Sequence, residues 1–133
     1  MRRVGYGRPH PRVASGEILA ADTFYSFDAK YVNAASRTIV PADLPADVQR
    51  QVQKAAVAMF KAVDGRGMAR VDFFLEDGTG KLLLNEINTV PGFTSISMYA
   101  MMWEASGVAL PQVLDQLVQM ALDKCDKFDK FDE

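Results

Sequence analysis

The feature that most restricts what this chain can become is a pair of short strand-like runs, Met68 to Leu75 and Lys81 to Asn88, separated by Glu76-Asp77-Gly78-Thr79-Gly80. Two glycines beside an acid and a threonine, between apolar runs, have the composition of a hairpin connection. Side chains alternate along a strand, so Arg70, Asp72 and Phe74 share one face, and Leu84, Glu86 and Asn88 share one face of the second run. With Gly78-Thr79-Gly80 as the loop, Asp77 faces Lys81, Asp72 faces Glu86 and Arg70 faces Asn88. Directly opposed residues hold their Cβ atoms about 4.5 to 5.5 Å apart. The hairpin therefore brings two carboxylates together.

Opposed carboxylates repel, and burial raises the cost, so a purely structural hairpin gains nothing from placing them there. A cation reverses the sign of that interaction. Asn88 adds a neutral oxygen, which makes an all-oxygen donor set suited to a hard ion such as Mg²⁺. Zinc prefers His or Cys ligands, which this segment lacks. The alternative is an exposed hairpin face with ordinary charges. The choice hangs on the loop, because a slip of one residue sends the two carboxylates to opposite faces.

The segment that follows, Thr89 to Tyr99, contains the breaker Pro91-Gly92 and then Thr94, Ser95 and Ser97 ahead of a short helix. Free N–H groups and hydroxyls at a helix start bind anions, although a Ser or Thr cap without any ligand accounts for the same residues. An acidic metal site, Arg70 and an anion-binding helix start would then be neighbours. That combination suits a phosphorylated substrate.

Elsewhere the sequence supplies a scaffold. From Pro45 to Val63, apolar residues Val48, Val52, Ala55, Ala56, Met59, Phe60 and Val63 recur at helix-face spacing, with Asp47 in the first turn and Gly65 and Gly67 beyond the end. A further helix over about Pro111 to Lys124 places Val113, Leu114, Leu117, Val118 and Ala121 on one side, expected to cover the sheet. Phe24 to Tyr31 has no clean period and reads as an edge strand followed by an ordered loop, its aromatics packed on the domain. Residues 1–16 hold Gly5, Gly7, Pro9, Pro11 and Gly16, a density of breakers that argues for loop. His10, between two prolines, reads as an exposed loop histidine. The expected class is α+β, an antiparallel sheet covered by helices. The expected organisation is an irregular segment over 1–15, a domain over 16–124 and a charged tail over 125–133, read as a frayed helix end.

At 133 residues with 49% hydrophobic and 24% charged composition, the chain has the makings of one globular domain rather than a disordered segment. A net charge of -2, without clustered Lys/Arg and interleaved aromatics, argues against a nucleic-acid partner. No run reaches the roughly 18 to 20 apolar residues of a membrane span, and the opening residues have no apolar core behind their arginines. Cys125 is the only cysteine, so no intrachain disulfide can form; a reducing, cytoplasmic location is expected.

Ala69-Arg70-Val71-Asp72-Phe73-Phe74-Leu75 and Leu84-Asn85-Glu86-Ile87-Asn88-Thr89-Val90-Pro91-Gly92-Phe93-Thr94 together resemble a D-alanine–D-alanine ligase of the ATP-grasp superfamily. The resemblance begins at Gly16-Glu17-Ile18, runs through Ser97-Met98-Tyr99 and Trp103-Glu104-Ala105-Ser106-Gly107, and reaches about residue 122. It implies the C-terminal subdomain of an ATP-grasp fold. It further implies that Asp72, Glu86 and Asn88 hold two Mg²⁺ ions, or Mn²⁺ in their place, against the phosphates of ATP, with Glu86 bridging.

The reaction it implies phosphorylates one D-alanine carboxylate, and the amine of a second D-alanine displaces the phosphate, giving a dipeptide for peptidoglycan synthesis. Arg70 and the Gly92 N–H would stabilise the tetrahedral intermediate. Ser97 and the Met98 N–H would hold the second carboxylate. Phe24 to Tyr31 resembles the family's mobile loop, with Lys30 meeting the phosphate and Tyr31 helping to close the site. Lys30-Tyr31 is the form expected of dipeptide-forming members, whereas those that use D-lactate usually carry a histidine there. The family's N-terminal domain and nucleotide-gripping central region have no counterpart before residue 16, so the chain by itself is expected to be inactive. Ala100 stands where proline is common. The readings kept beside this one are another ATP-grasp carboxylate–amine ligase, and a non-catalytic metal-binding module that forms a homodimer.

Overall fold

The computed structural model describes residues 2–7, 13–19, 37–94 and 96–128. Among these residues five strands form one antiparallel sheet: β1 (Arg2–Gly7), β2 (Ser15–Leu19), β3 (Arg37–Ile39), β4 (Arg70–Leu75) and β5 (Leu82–Asn88), in the order β3-β2-β1-β4-β5. Among the described residues three helices accompany them: α1 (Ala46–Ala62), α2 (Met98–Ala105) and α3 (Leu110–Phe128). The class is α+β, as the sequence led us to expect.

The loop reading of residues 1–16 does not hold for 2–7 or for Ser15 and Gly16, which lie in strands. Arg2–Gly7 is the middle strand of the sheet, bonded to β2 on one side and β4 on the other. Its glycines are not turn residues. Gly5 lies opposite Gly16 on β2 and Asp72 on β4, and both glycines are buried where another side chain approaches the backbone, a regular use of glycine within a strand.

Alternation divides the sheet into two faces. Val4, Val71, Phe73 and Leu75 are buried in one cluster with Val52 and Ala56 of α1, so α1 covers that face. Its amphipathic pattern is as expected, with Val52, Ala56 and Phe60 buried and Asp47 in the first turn, while Val63 is half-exposed just past the end. On the same face Glu17 is fully buried, opposite Val4. Arg2, two residues along β1, holds it through both ends of its guanidinium: Nε donates to Oε1, and Nη2 donates to Oε2 at 2.6 Å and to the Asp43 carbonyl at 2.7 Å. The hydrogen bond to Glu17 raises the Arg2 pKa above its ordinary value. A buried carboxylate is tolerated only with such a partner.

α2 buries Tyr99, Ala100, Met102 and Trp103 and packs on β1 and β2. The Tyr99 ring lies 5.3 Å from Phe93 and 6.4 Å from Trp103, centroid to centroid. The Ser106 hydroxyl donates to the Met102 carbonyl at 2.6 Å and accepts the Ala14 N–H at 2.8 Å, tying the end of α2 to the start of β2. α3 differs from expectation: it leans on α2 rather than on the sheet. Over 110–123, where burial is described, Val113 alone is buried and Leu117 packs partly against the core, while Leu114, Val118 and Leu122 remain about half exposed. No helix among the described residues is long and apolar enough to cross a membrane.

Candidate functional site at the far end of the hairpin

The β4–β5 hairpin closes differently from the sequence-based reading, and its far end is nevertheless as read. The Glu76 N–H donates to the Lys81 carbonyl at 2.9 Å and the Gly80 N–H donates to the Glu76 carbonyl at 3.0 Å. The connection is thus Asp77 to Gly80, four residues rather than three, with Gly78 and Gly80 at φ values of 83° and 68° that glycine adopts most readily. Leu75 pairs with Leu82, and Asp77 does not pair with Lys81. Continued without interruption, that register sets Asp72 opposite Asn85 and turns Glu86 away.

A bulge corrects it. The register shifts between Asp72 and Phe73: Phe73 pairs with Leu84 and Asp72 with Glu86, leaving Asn85 as the extra residue. Beyond it Arg70 pairs with Asn88, so Arg70, Asp72, Glu86 and Asn88 share the face opposite α1. Leu84 does not join them, because its partner Phe73 belongs to the α1 face. The two offsets, one in the turn and one at Asn85, cancel.

Asp72 is 2% exposed. Arg70 Nε donates to its Oδ1 at 2.9 Å and Arg70 Nη2 to its Oδ2 at 3.0 Å, and the same Nη2 lies 3.5 Å from Glu86 Oε1. Two carboxylates therefore converge on one guanidinium. Asn88 turns its Oδ1 to accept the Val90 N–H at 3.1 Å, which fixes the amide oxygen beside the strand end and leaves a second lone pair. No group of three or more His, Cys, Asp or Glu side chains of the kind that binds metal occurs among the described residues. Asp72, Glu86 and Asn88 bring side-chain oxygens to one face, and Mg²⁺ commonly takes one or two carboxylates and completes its shell with water or phosphate.

The second half of the site lies at the start of α2. Ser97 is its N-cap residue, yet its hydroxyl makes no capping bond. It turns back to accept the Thr94 N–H at 3.0 Å and lies 2.7 Å from the Thr94 hydroxyl. It also sits 3.1 Å from where a Gly92 Cβ would be. Gly92, Thr94 and Ser97 thus form one cluster, with the first-turn N–H groups of α2 left without a side-chain cap. Sequence reading gave individual roles to Gly92, Ser97 and Met98 and counted Thr94 only among the hydroxyls ahead of the helix, although its place three residues before Ser97 was a signal. Nor did it give any part to Gly5 and Gly16. Lys30 and Tyr31, with the whole Phe24 to Tyr31 segment and His10, lie outside the described residues.

The fold that carries this hairpin has close parallels. The fold superposes on a D-alanine–D-alanine ligase from Coxiella burnetii with a TM-score of 0.78 at 38% identity, covering 98% of this chain and 34% of that one. It superposes on the VanG D-Ala:D-Ser ligase from Enterococcus faecalis at 0.75 and 33% identity, covering 89% and 35%. A D-alanine–D-alanine ligase from Bacillus anthracis in complex with ATP gives 0.76 at 27% identity, over 95% and 41%. The architecture is that of ATP-grasp ligases.

The family model described as D-ala D-ala ligase C-terminus matches residues 8–119, and the chain belongs to that family. The match starts earlier than residue 16, where the visible resemblance began. D-alanine–D-alanine ligases from Solibacter usitatus and Chlorobaculum tepidum are 54% and 50% identical over 108 and 109 residues. The chain spans about a third of their length, 33% and 30% respectively.

Proposed function

We propose that this chain is the C-terminal catalytic portion of an ATP-dependent D-alanine–D-alanine ligase, working in the cytoplasm and supplying a D-alanyl-D-alanine dipeptide for peptidoglycan. The observation that carries the proposal is the bulge at Asn85, which sets Glu86 opposite Asp72 and Asn88 opposite Arg70 against the register of the turn. A bulge that restores an unfavourable carboxylate pairing is explained by a ligand that needs both. The proposed domain takes in β1 together with residues 16–124, with 125–133 as a charged tail.

On this reading Asp72, Glu86 and Asn88 hold two Mg²⁺ ions, or Mn²⁺, and the metal supplies charge neutralisation at the phosphates of ATP. Arg70 then has to yield its hold on Asp72, which frees its guanidinium for the oxyanion of the tetrahedral intermediate. The Gly92 N–H is assigned to the same oxyanion. Ser97 and the Met98 N–H, at an uncapped helix start, take the carboxylate of the acceptor amino acid. Lys30 and Tyr31 are assigned to the phosphate and to closure of the site.

The carboxylate is activated as an acyl phosphate, because a free carboxylate is a poor electrophile; the amine then displaces phosphate. The acceptor proposed is D-alanine. The likeness to a D-Ala:D-Ser ligase makes D-serine the competitor to test. The chain presents one wall of a site that must hold two amino acids and a nucleotide at once, so by itself it is expected to form no dipeptide.

A chimera tests the assignment. Residues 8–119 of this chain replace the matching third of the Chlorobaculum tepidum ligase, and ADP release and dipeptide are measured with D-alanine or D-serine as acceptor. Dipeptide formation dependent on Mg²⁺ and lost on Glu86→Gln is expected. A soluble, folded chimera without activity contradicts the proposal.

The observation that favours a second reading is the half-exposed row Leu114, Val118 and Leu122 on α3. In that reading the chain is a non-catalytic module that pairs with a second copy through this surface. Light scattering that shows a monomer at all concentrations removes it.

A further inference from the structure

The face of the sheet that carries Asp72 is also the face on which Gly5 and Gly16 stand opposite one another, on β1 and β2. Two opposed glycines remove two neighbouring side chains and open a slot across adjacent strands. The Met98 side chain fills it. A β-carbon built on Gly16 would lie 2.6 Å from the Met98 methyl and 3.1 Å from Val40 Cγ2. One built on Gly5 would lie 3.0 Å from the same methyl, 3.4 Å from the sulfur and 3.1 Å from Asp72 Oδ1. A β-carbon at 2.6 Å is not accommodated without movement, so an alanine at Gly16 would displace the Met98 side chain, whose methyl end moves most easily and whose Cγ lies 3.3 Å away.

Met98 is the first residue of α2. Its backbone thus belongs to the helix start assigned to the acceptor carboxylate, while its side-chain end lies in the slot beside Asp72. An unbranched thioether can lie flat over two strands where a β-branched side chain cannot. We propose that Met98, seated over the Gly5–Gly16 pair, is a positioning residue that fixes the first turn of α2 relative to the Asp72 carboxylate, and so sets the spacing between the metal and the acceptor subsite. The proposal rests on the ligase reading of the Asp72–Glu86 pair and adds to it the part that holds the two subsites in register.

The test uses the 133-residue chain, Mn²⁺ as a paramagnetic probe and a non-hydrolysable ATP analogue. Broadening of backbone amide signals is compared at Glu86 and Asn88, which report metal binding, and at Ser97 and Met98, which report the spacing. Paramagnetic relaxation falls with the inverse sixth power of distance, so a small outward shift of α2 is visible. Gly16→Ala, Met98→Ala and the double variant complete a cycle.

Gly16→Ala in the Met98 background is expected to lose most of the enhancement at Ser97 and Met98 while keeping it at Glu86 and Asn88. In the Met98→Ala background the same alanine should change less, because its closest contact has been removed and only Val40 Cγ2 at 3.1 Å remains. Unchanged broadening at Ser97 and Met98 in Gly16→Ala, or an equal effect in both backgrounds, overturns the positioning role with the metal reading intact. Absence of broadening at every amide in the parent chain overturns the metal reading and this inference with it.

Discussion

The sheet carries two buried carboxylates held by arginine, one on each face, and they differ in what else is present. Glu17, under α1, is wholly buried and is gripped by Arg2, whose remaining contact goes to a backbone carbonyl. Asp72, on the other face, is held at both oxygens by Arg70, but that guanidinium also reaches a second carboxylate, Glu86, with Asn88 one pair farther along. The first arrangement matches one cation to one anion in an enclosed place and does nothing further. The second brings two anions to one guanidinium at the strand end. Similar chemistry thus gives a structural clamp in one place and a candidate ligand site in the other, and the difference lies in the neighbours.

That contrast can be broken first at the clamp. Arg2→Met should leave Glu17 buried without its guanidinium and cost about 3 kcal/mol, the low end for a disrupted buried pair because Arg2 is partly exposed. Urea unfolding measures it, and the loss should be the same with and without Mg²⁺. The raised Arg2 pKa keeps this cation charged at any pH below its ordinary value and would release its contribution only above that. Acidification should therefore not weaken the clamp from the arginine side.

A smaller effect is expected on the opposite face. Arg70→Met removes two charge-assisted hydrogen bonds from Asp72 and should cost about 2 kcal/mol in metal-free buffer. Here Mg²⁺ should recover part of the loss, since a bound cation replaces the guanidinium and stabilises the folded state by mass action. Equal sensitivity of the two variants to Mg²⁺ would erase the distinction between clamp and site.

Much of this was legible in the residues, unevenly. α1 was readable because its buried positions repeat at helical spacing over seventeen residues. The pairing of Asp72 with Glu86 was read correctly from an incorrect turn. The four-residue connection and the Asn85 bulge each shift the register by one, and neither has a side-chain pattern that marks it. β1 was hidden because Gly5 and Gly7 read as breakers, whereas Gly5 is there for the Met98 side chain. A glycine that makes room for a distant residue looks, in one dimension, like a glycine that makes a turn. α3 misled for a related reason: its apolar stripe is real, but periodicity does not say what lies against it, and Leu114, Val118 and Leu122 stay half-exposed.

The central claim is that the bulged end of the hairpin is a working half-site for metal and nucleotide. The most direct measurement is calorimetric titration of the chain with Mg²⁺ and a non-hydrolysable ATP analogue, beside an Asp72→Ala, Glu86→Ala double variant shown to be folded. Heat of binding in the parent chain and none in the variant is the predicted result. Binding that survives in the variant would place the ligand elsewhere, and no binding in either would leave the Arg70 cluster as a second structural clamp.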